Sequence, residues 1–579
     1  MWVGLVVAWM GLAEASEPEY SFAGRIQHDL RFRILEERDP TGPWYDPPQL
    51  MPGINRNQLM LNTKFKVKSG RFRGVSDLDL VMIGYPATLN TLGDLSNRTL
   101  LEPYRLEFHG LYVEGRDMLV PGLDLRIGQQ KVQFGVGDQF NPTNTFNPND
   151  VEDVLLFGDQ MANIMLRADY ALGNWTATGV AIPVFKPSLI PSTGPLALAS
   201  ISRLPFYEEE LRWRIHSEAD LGKQLGYPTV IGDVKIQQPE PSLENMQYGF
   251  NIGGFVGMHD VALSYYNGFA DVPIAVASHT TQTTDPRCRG RFEQQCIEGE
   301  LLNNVTLTYP EIQVIGYNMS GEVNPFALFS DKLAPLGYRA EVAVVFPKAY
   351  QTTLTQDTIN FGLLSQPAGE YDYALETPGG ERPVVLDDTP YGKWVLGLDY
   401  TLGSAVYLNA QWVHGMLDEF GAGDNLFQDG QVVRGASVDR EVPCNVPIPG
   451  VPRDETSPIP GEQCVTEILR ARMSDLAVIG VDLYFDNGNG LIRLFTITDL
   501  TGARYESYDA GKGERVQERY GAFTKNGYSQ VLYPMTEYKF GDGFALQTGA
   551  LIQLGKRYTK FGDPANGGSF VYTQARYAF

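Results

Sequence analysis

The residues with the clearest chemical potential are cations at strand spacing. Lys64, Lys66 and Lys68 occupy every second position at the end of LMLNTKFKVK, residues 59–68. Arg71 and Arg73 resume that spacing beyond Ser69-Gly70. A period of two sets such residues on one face of a β-strand. Arg25, Arg31 and Arg33 repeat it with Gln27 and Asp29 between them, as do Arg105, Glu107 and His109, then Asp124 and Arg126, then Gln574 and Arg576. Rows of fixed positive charge concentrate and pass anions but do not break bonds. Nothing else points to catalysis. The histidines at 28, 109, 216, 259, 279 and 414 form no H-E-x-x-H or other metal-ligand spacing, and there is no G-x-S-x-G elbow. No enzyme activity, cofactor or metal is expected. His109 can change charge near neutral pH, and is read as a satisfied polar residue.

The elements that position these residues are strands. No apolar run of about 18 residues follows the N-terminus, which argues against a helical membrane span. Gly (61), Tyr (30) and Phe (29) suit strands, tight turns and aromatic girdles. A net charge of −23 argues against nucleic acid as a partner. Period-two segments occur at 22–36, 57–68, 71–84, 104–115, 122–134, 162–172, 174–183, 245–257, 260–268, 310–321, 337–347, 392–402, 404–414, 473–485, 490–500, 528–540, 543–554 and 569–579. Connections between them alternate short and long. Short ones include Ser69-Gly70, Leu402-Gly403 and Gly541-Asp542; long ones include 184–244, 269–309, 348–391 and 415–472. The expected fold is all-β: a transmembrane antiparallel up-and-down barrel of about 18 strands (14–18), with short periplasmic turns and long extracellular loops. The connection 322–336 is long for a periplasmic turn and is the weak point of that count.

The charged set must face the lumen. Lys or Arg at the bilayer midplane costs roughly 2–4 kcal/mol on a barrel's lipid face, and a one-residue slip would turn all three lysines outward. One wall would then carry Arg25, Arg31, Arg33, Lys64, Lys66, Lys68, Arg71, Arg73, Arg105, Arg126 and Arg576, interrupted by Asp29, Asp77, Asp79, Glu107 and Asp124. It reads either as an electropositive solute path or as a wall of compensating ion pairs. Later strands, with Asp399, Asn409, Gln411, Asp482 and Gln547, are less basic.

Residues 1–15 read as a signal peptide with an A-x-A-like site at Ala13-Glu14-Ala15, and 16–579 as one barrel domain. No Lys or Arg precedes the apolar run, which implies a true start further upstream. Cys288, Cys296, Cys444 and Cys464 form two local pairs in polar stretches, and an even count in an exported chain implies disulfides. Pairing within each local pair is the simplest of three connectivities. The final strand, SFVYTQARYAF, resembles the closing strand of bacterial outer-membrane barrels, with Tyr577 and Phe579 as the assembly signal. That resemblance implies the barrel-assembly machinery, outer-membrane lipid and lipopolysaccharide as partners, and the outer membrane of a Gram-negative bacterium as location.

The segment 126–150 is the most distinctive: Arg126-Ile-Gly-Gln-Gln130, then Phe134-Gly135, then Asn-Pro at 141–142 and 147–148, closing on Asp150. Pro excludes a central strand there, and Asn and Asp side chains can order a loop without regular structure. The loop is expected at the extracellular mouth or inside the lumen. This run resembles the bacterial outer-membrane proteins of the domain-of-unknown-function 1302 type and is loosely similar to alginate-export porins. Arg126, Gln130, Asn144, Asn147 and Asp150 match the pattern, whereas Phe134 stands where those proteins often carry Trp. The resemblance implies a porin-like role without fixing a solute. The five matching residues are read as a conformational staple ahead of solute contacts. The expectation is therefore a porin-like channel for a polar solute, anionic or polymeric. The alternatives are a non-conducting envelope component of a lipid or polymer export system, and a hydrophobic-compound transporter.

Overall fold

Eighteen antiparallel strands close into one transmembrane barrel. The computed structural model describes residues 17–34, 53–87, 89, 91–153, 155, 158–189, 229–282, 301–325, 334–351, 353–356, 371–372, 384–386, 388–415, 432–438, 465–471, 473–509, 514–556, 559–562 and 568–579. The barrel strands are β1 (Glu19–Arg33), β2 (Gly53–Ser69), β3 (Phe72–Ile83), β4 (Tyr104–Gly115), β5 (Leu123–Gln130), β6 (Asn163–Leu172), β7 (Trp175–Ile182), β8 (Gln247–Val256) and β9 (His259–Phe269). They continue as β10 (Glu311–Val323), β11 (Leu336–Pro347), β12 (Tyr391–Leu402), β13 (Val406–His414), β14 (Asp475–Phe485), β15 (Gly490–Asp499), β16 (Ser529–Lys539), β17 (Phe544–Gly555) and β18 (Phe570–Ala578). Each pairs with its neighbour in sequence, and β1 pairs with β18 from Arg25↔Ala578 to Arg33↔Phe570, leaving no free edge. Closure satisfies the backbone in hydrocarbon, where an open edge would be costly.

The faces sort as the period requires. Tyr20, Phe22, Ile26 and Phe32 of β1 and Leu59 and Phe65 of β2 are exposed on the outside, with Leu106, Ile164, Phe250, Ile315, Leu396, Ile479, Ile492 and Tyr577 continuing the belt. The opposite faces of β1, β2 and β3 carry Asp29, Arg31, Arg33, Gln58 and Asp79, all buried inside.

Strands turn tightly at one end. Gly70 (φ 55°) and Gly173 (φ 65°) sit at two-residue turns that need the left-handed region. At the other end the connections are long and carry strands of their own, which the period-two reading did not separate. Thr229–Gln237, Ile274–Gln282, Leu301–Thr308, Thr353–Gln356 and Tyr371–Asp372 form a five-stranded sheet. Val432–Val438, Val465–Ala471, Ala503–Asp509 and Glu514–Tyr520 form a four-stranded one.

The count of 18 holds across the doubtful connection, because β10 and β11 extend into it on both sides. The expected strand 122–134 is too long. β5 stops at Gln130, where the chain leaves the wall. The expected signal peptide and all four cysteines lie outside the described residues.

Candidate functional site

The loop 131–162 leaves β5 at the long-loop end and folds into the barrel. Its own amides shape it. Asn147 Oδ1 accepts from Val132 N (3.0 Å), and Asn144 Oδ1 accepts from Phe134 N (3.4 Å). Both asparagines donate through Nδ2 to Gln160 Oε1, at 2.7 and 2.9 Å. Gln130 Nε2 donates to Met165 O, and Asp150 Oδ1 accepts from Glu152 N. Four of the five matched positions thus bond within or beside the loop, whereas Arg126 turns away from it and pairs with Glu114 (2.7 Å). Val132, Phe134 and Phe146 pack on Met165, Val180, Ile182, Tyr266 and Val314 from the inner faces of β6–β10. The Phe134–Phe146 and Phe146–Tyr266 rings meet edge to face at 4.9 and 5.2 Å.

The tip of the loop reaches the β11–β13 wall. Glu341 is fully buried there and accepts from the backbone N–H of Val136 (2.8 Å), Gly137 (3.0 Å) and Thr143 (2.8 Å) and from the Thr143 hydroxyl (2.8 Å). One carboxylate thus satisfies three backbone donors that would otherwise be orphaned. Arg339 pairs with Asp138, and Asn409 and Gln411 donate to the same carboxylate at 2.9 and 3.0 Å. Phe140 enters a second apolar cluster with Val395, Val413, Leu476 and Ile497.

The returning limb lands on the basic wall. Arg31 forks onto Asp153 with both terminal nitrogens at 2.6 Å, and its other edge holds Asp29. Arg56 reaches Asp153 (3.2 Å) and Glu152 (3.1 Å), and Arg105 reaches Glu152 (3.3 Å) and Glu107. Burial alone would raise the Asp153 carboxyl, but hydrogen bonds and charge from Arg31, with Arg56 behind, hold it down to about 2. Nearby Asp150 makes no ion pair among the described residues. Burial pushes it up to about 6, with Glu152 and Asp159 adding repulsion against one backbone hydrogen bond.

Toward the short-turn end the wall is open to water. Glu114, 1% exposed, holds three guanidinium groups: Arg73 (2.6 Å), Arg116 (2.9 Å) and Arg126 (2.7 Å). Lys64 pairs with Asp77 (2.6 Å), Lys68 with Glu19 (3.4 Å) and Arg576 with Glu537 (2.7 Å). Arg33 is buried on the same inner face. Among the described residues, no ion pair includes Arg25, Lys66 or Arg71. The wall thus combines compensated pairs along most of its length with a cluster of three guanidinium groups around one carboxylate at the short-turn end, where Asp117 and Asp124 also lie near Arg116.

The period-two reading passed over several residues of this arrangement. Arg56, Glu114, Arg339 and Glu341 lie on inner faces, and alternation in β2, β4 and β11 carries the signal for them. Arg116 lies in a turn and has no such signal. Glu152 and Asp153 have no periodicity to reveal them. His109 meets Asp79 at 3.1 Å with Glu107 alongside, a grouping that joins two strands and is invisible to motif spacing.

No family model matches the chain, so the likeness of residues 126–150 to the domain-of-unknown-function 1302 proteins has no support from one, and no curated protein matches it. Among solved structures the chain is similar to OccAB3 of Acinetobacter baumannii (10% identity, TM-score 0.41, covering 97% of this chain and 99% of that chain). It is similar to OccAB1 of the same organism (8% identity, TM-score 0.42, covering 98% of each chain). It is also similar to Pseudomonas aeruginosa OpdK with vanillate (8% identity, TM-score 0.41, covering 97% of this chain and 98% of that chain). At these scores the likeness carries nothing about solute or mechanism.

Proposed function

We propose that the chain is a porin-like channel of a Gram-negative outer membrane, passing polar solutes along the β1–β5 wall with a preference for anions. The long-loop end is then extracellular and the short turns periplasmic. Barrels of 16–18 strands enclose an aqueous lumen unless something fills it. Loop 131–162 fills the β6–β14 side, caps Arg31, Arg56 and Arg105 through Glu152 and Asp153, and leaves the short-turn part of the charged wall lining what remains. The observation that carries the anion preference is the Glu114 cluster, where three guanidinium groups share one sunken carboxylate. Excess positive charge at a pore mouth raises the local concentration of anions.

Proteoliposome swelling tests this reading. Vesicles holding the purified protein should swell faster in an anionic sugar acid than in the neutral sugar of equal size. Equal rates would remove the anion preference, and no swelling in either would remove the channel.

One observation favours a second reading. The loop is pinned to both walls and packed in two apolar clusters, as in a barrel kept shut. The chain would then be a non-conducting component of a lipid or polymer export system or a hydrophobic-compound transporter. Retention of a periplasmic partner by the immobilised barrel, together with no swelling, would favour it.

A further inference from the structure

We infer that Asp79, Glu107 and His109 form a binding site for a divalent transition-metal ion of the zinc type on the lumen wall. This inference goes beyond the channel reading and stands whether or not the barrel conducts. Asp79 on β3 and Glu107 on β4 are direct cross-strand partners. Two carboxylates placed opposite each other on one face repel, so their juxtaposition calls for a cation between them. His109, two residues beyond Glu107 on the same face, brings its Nε2 to 3.1 Å from Asp79 Oδ2. One ligand atom from each residue lies within 4.8 Å of the others. Around a zinc ion with ligands at about 2.1 Å, donor atoms sit roughly 3–3.5 Å apart, so small side-chain rotations close the set.

Each carboxylate is held from behind by a neighbouring side chain. Asn62 Nδ2 donates to Asp79 Oδ1, leaving Oδ2 toward the histidine. Arg105 Nε donates to Glu107 Oε1, and no hydrogen bond among the described residues engages Oε2. Ligating carboxylates are commonly held in this way, one oxygen fixed from behind and the other on the metal. Arg105 divides between Glu107 and Glu152, Lys64 is taken up by Asp77, and Arg25 is a further cation acting on Asp79, so a dication here would compete with cations already shared among these carboxylates. One imidazole and two carboxylates suit zinc and neighbouring divalent ions, and water from the lumen would complete the sphere. The paired strands set the spacing. His109 is the extra residue of a bulge in β4, unpaired between Gly110↔Asp77 and Phe108↔Leu78, and the bulge lets its imidazole share the inner face with Glu107.

The test uses untagged full-length protein in detergent, titrated with zinc by calorimetry, with the absorption of bound Co²⁺ as a second readout. Wild type should bind one equivalent and give Co²⁺ bands, and His109→Gln and Asp79→Asn should each weaken zinc binding at least about tenfold. Heat-modifiable migration on gels checks that each variant is a folded barrel. Should His109→Gln fail that check, Glu107→Gln takes its place with the same expectation. Absence of zinc binding to wild type, or equal binding by folded variants, would overturn the assignment.

Discussion

At the residue scale, Asp153 and Asp150 are two carboxyls on one loop with opposite environments. Asp153 sits in a fork with Arg31, and both side chains are nearly buried. Breaking a buried pair from one side leaves an uncompensated charge, which costs on the order of 3 kcal/mol. Asp29 remains beside Arg31, so Asp153→Ala should fall at or below that figure. The expected result is a loop cleaved within 135–161 by protease in a barrel whose migration is otherwise unchanged. Asp150 gives the pH dependence. Its carboxyl is raised in the packed loop, so the packed state favours the protonated form. Loop packing should therefore tighten as pH falls from 7 through 6 toward 5, and loosen as pH rises through the same window. Protease sensitivity of the loop across that range measures it, and Asp150→Asn should flatten the profile. Asp153, held near 2, stays charged throughout.

At the element scale, the loop depends on a strand residue far away in sequence. Glu341 serves backbone donors 198 to 205 residues upstream. Glu341→Ala would orphan three buried N–H groups at about 1–3 kcal/mol each, so the loop should leave the lumen while the barrel persists. Hydrogen exchange at Val136, Gly137 and Thr143 would report it. The terminal strand makes its own prediction. Phe579 exchanges two backbone hydrogen bonds with Gly24, at 2.8 and 2.9 Å, and its ring covers that glycine. Deleting Phe579 should slow barrel assembly, and Gly24→Leu should do the same by displacing the ring. Formation of the heat-modifiable species over time measures both.

The elements were far more legible than the site. All eighteen strands stand out in the sequence because each presents one face to hydrocarbon and the other to polar surroundings, so alternation survives along its length. LMLNTKFKVK fixes its own register for that reason, with Lys64 set opposite Asp77 and paired with it. The path of loop 131–162 was not legible. Its Asn-Pro turns announce an ordered loop but not its destination, because Asp153 finds Arg31 across 122 residues. The balance of the charged wall was hidden for the same reason. Glu152 and Asp153 neutralise arginines from a loop with no period, and Glu114, on its inner face, gathers three arginines from two strands and a turn.

At the scale of the whole molecule, the barrel is a cylinder with one wall lined by ion pairs, some of them made to its own loop, and the opposite walls covered by that loop. Whether the charged wall is a conduit is settled most directly by the reversal potential of the purified protein in a planar bilayer under a salt gradient. Stable pores should open with the potential displaced toward the anion equilibrium value, and the triple variant Lys64→Glu, Lys66→Glu, Lys68→Glu should assemble and shift it toward cations. A folded barrel that inserts without conducting, or a wild-type pore selective for cations, would contradict the account.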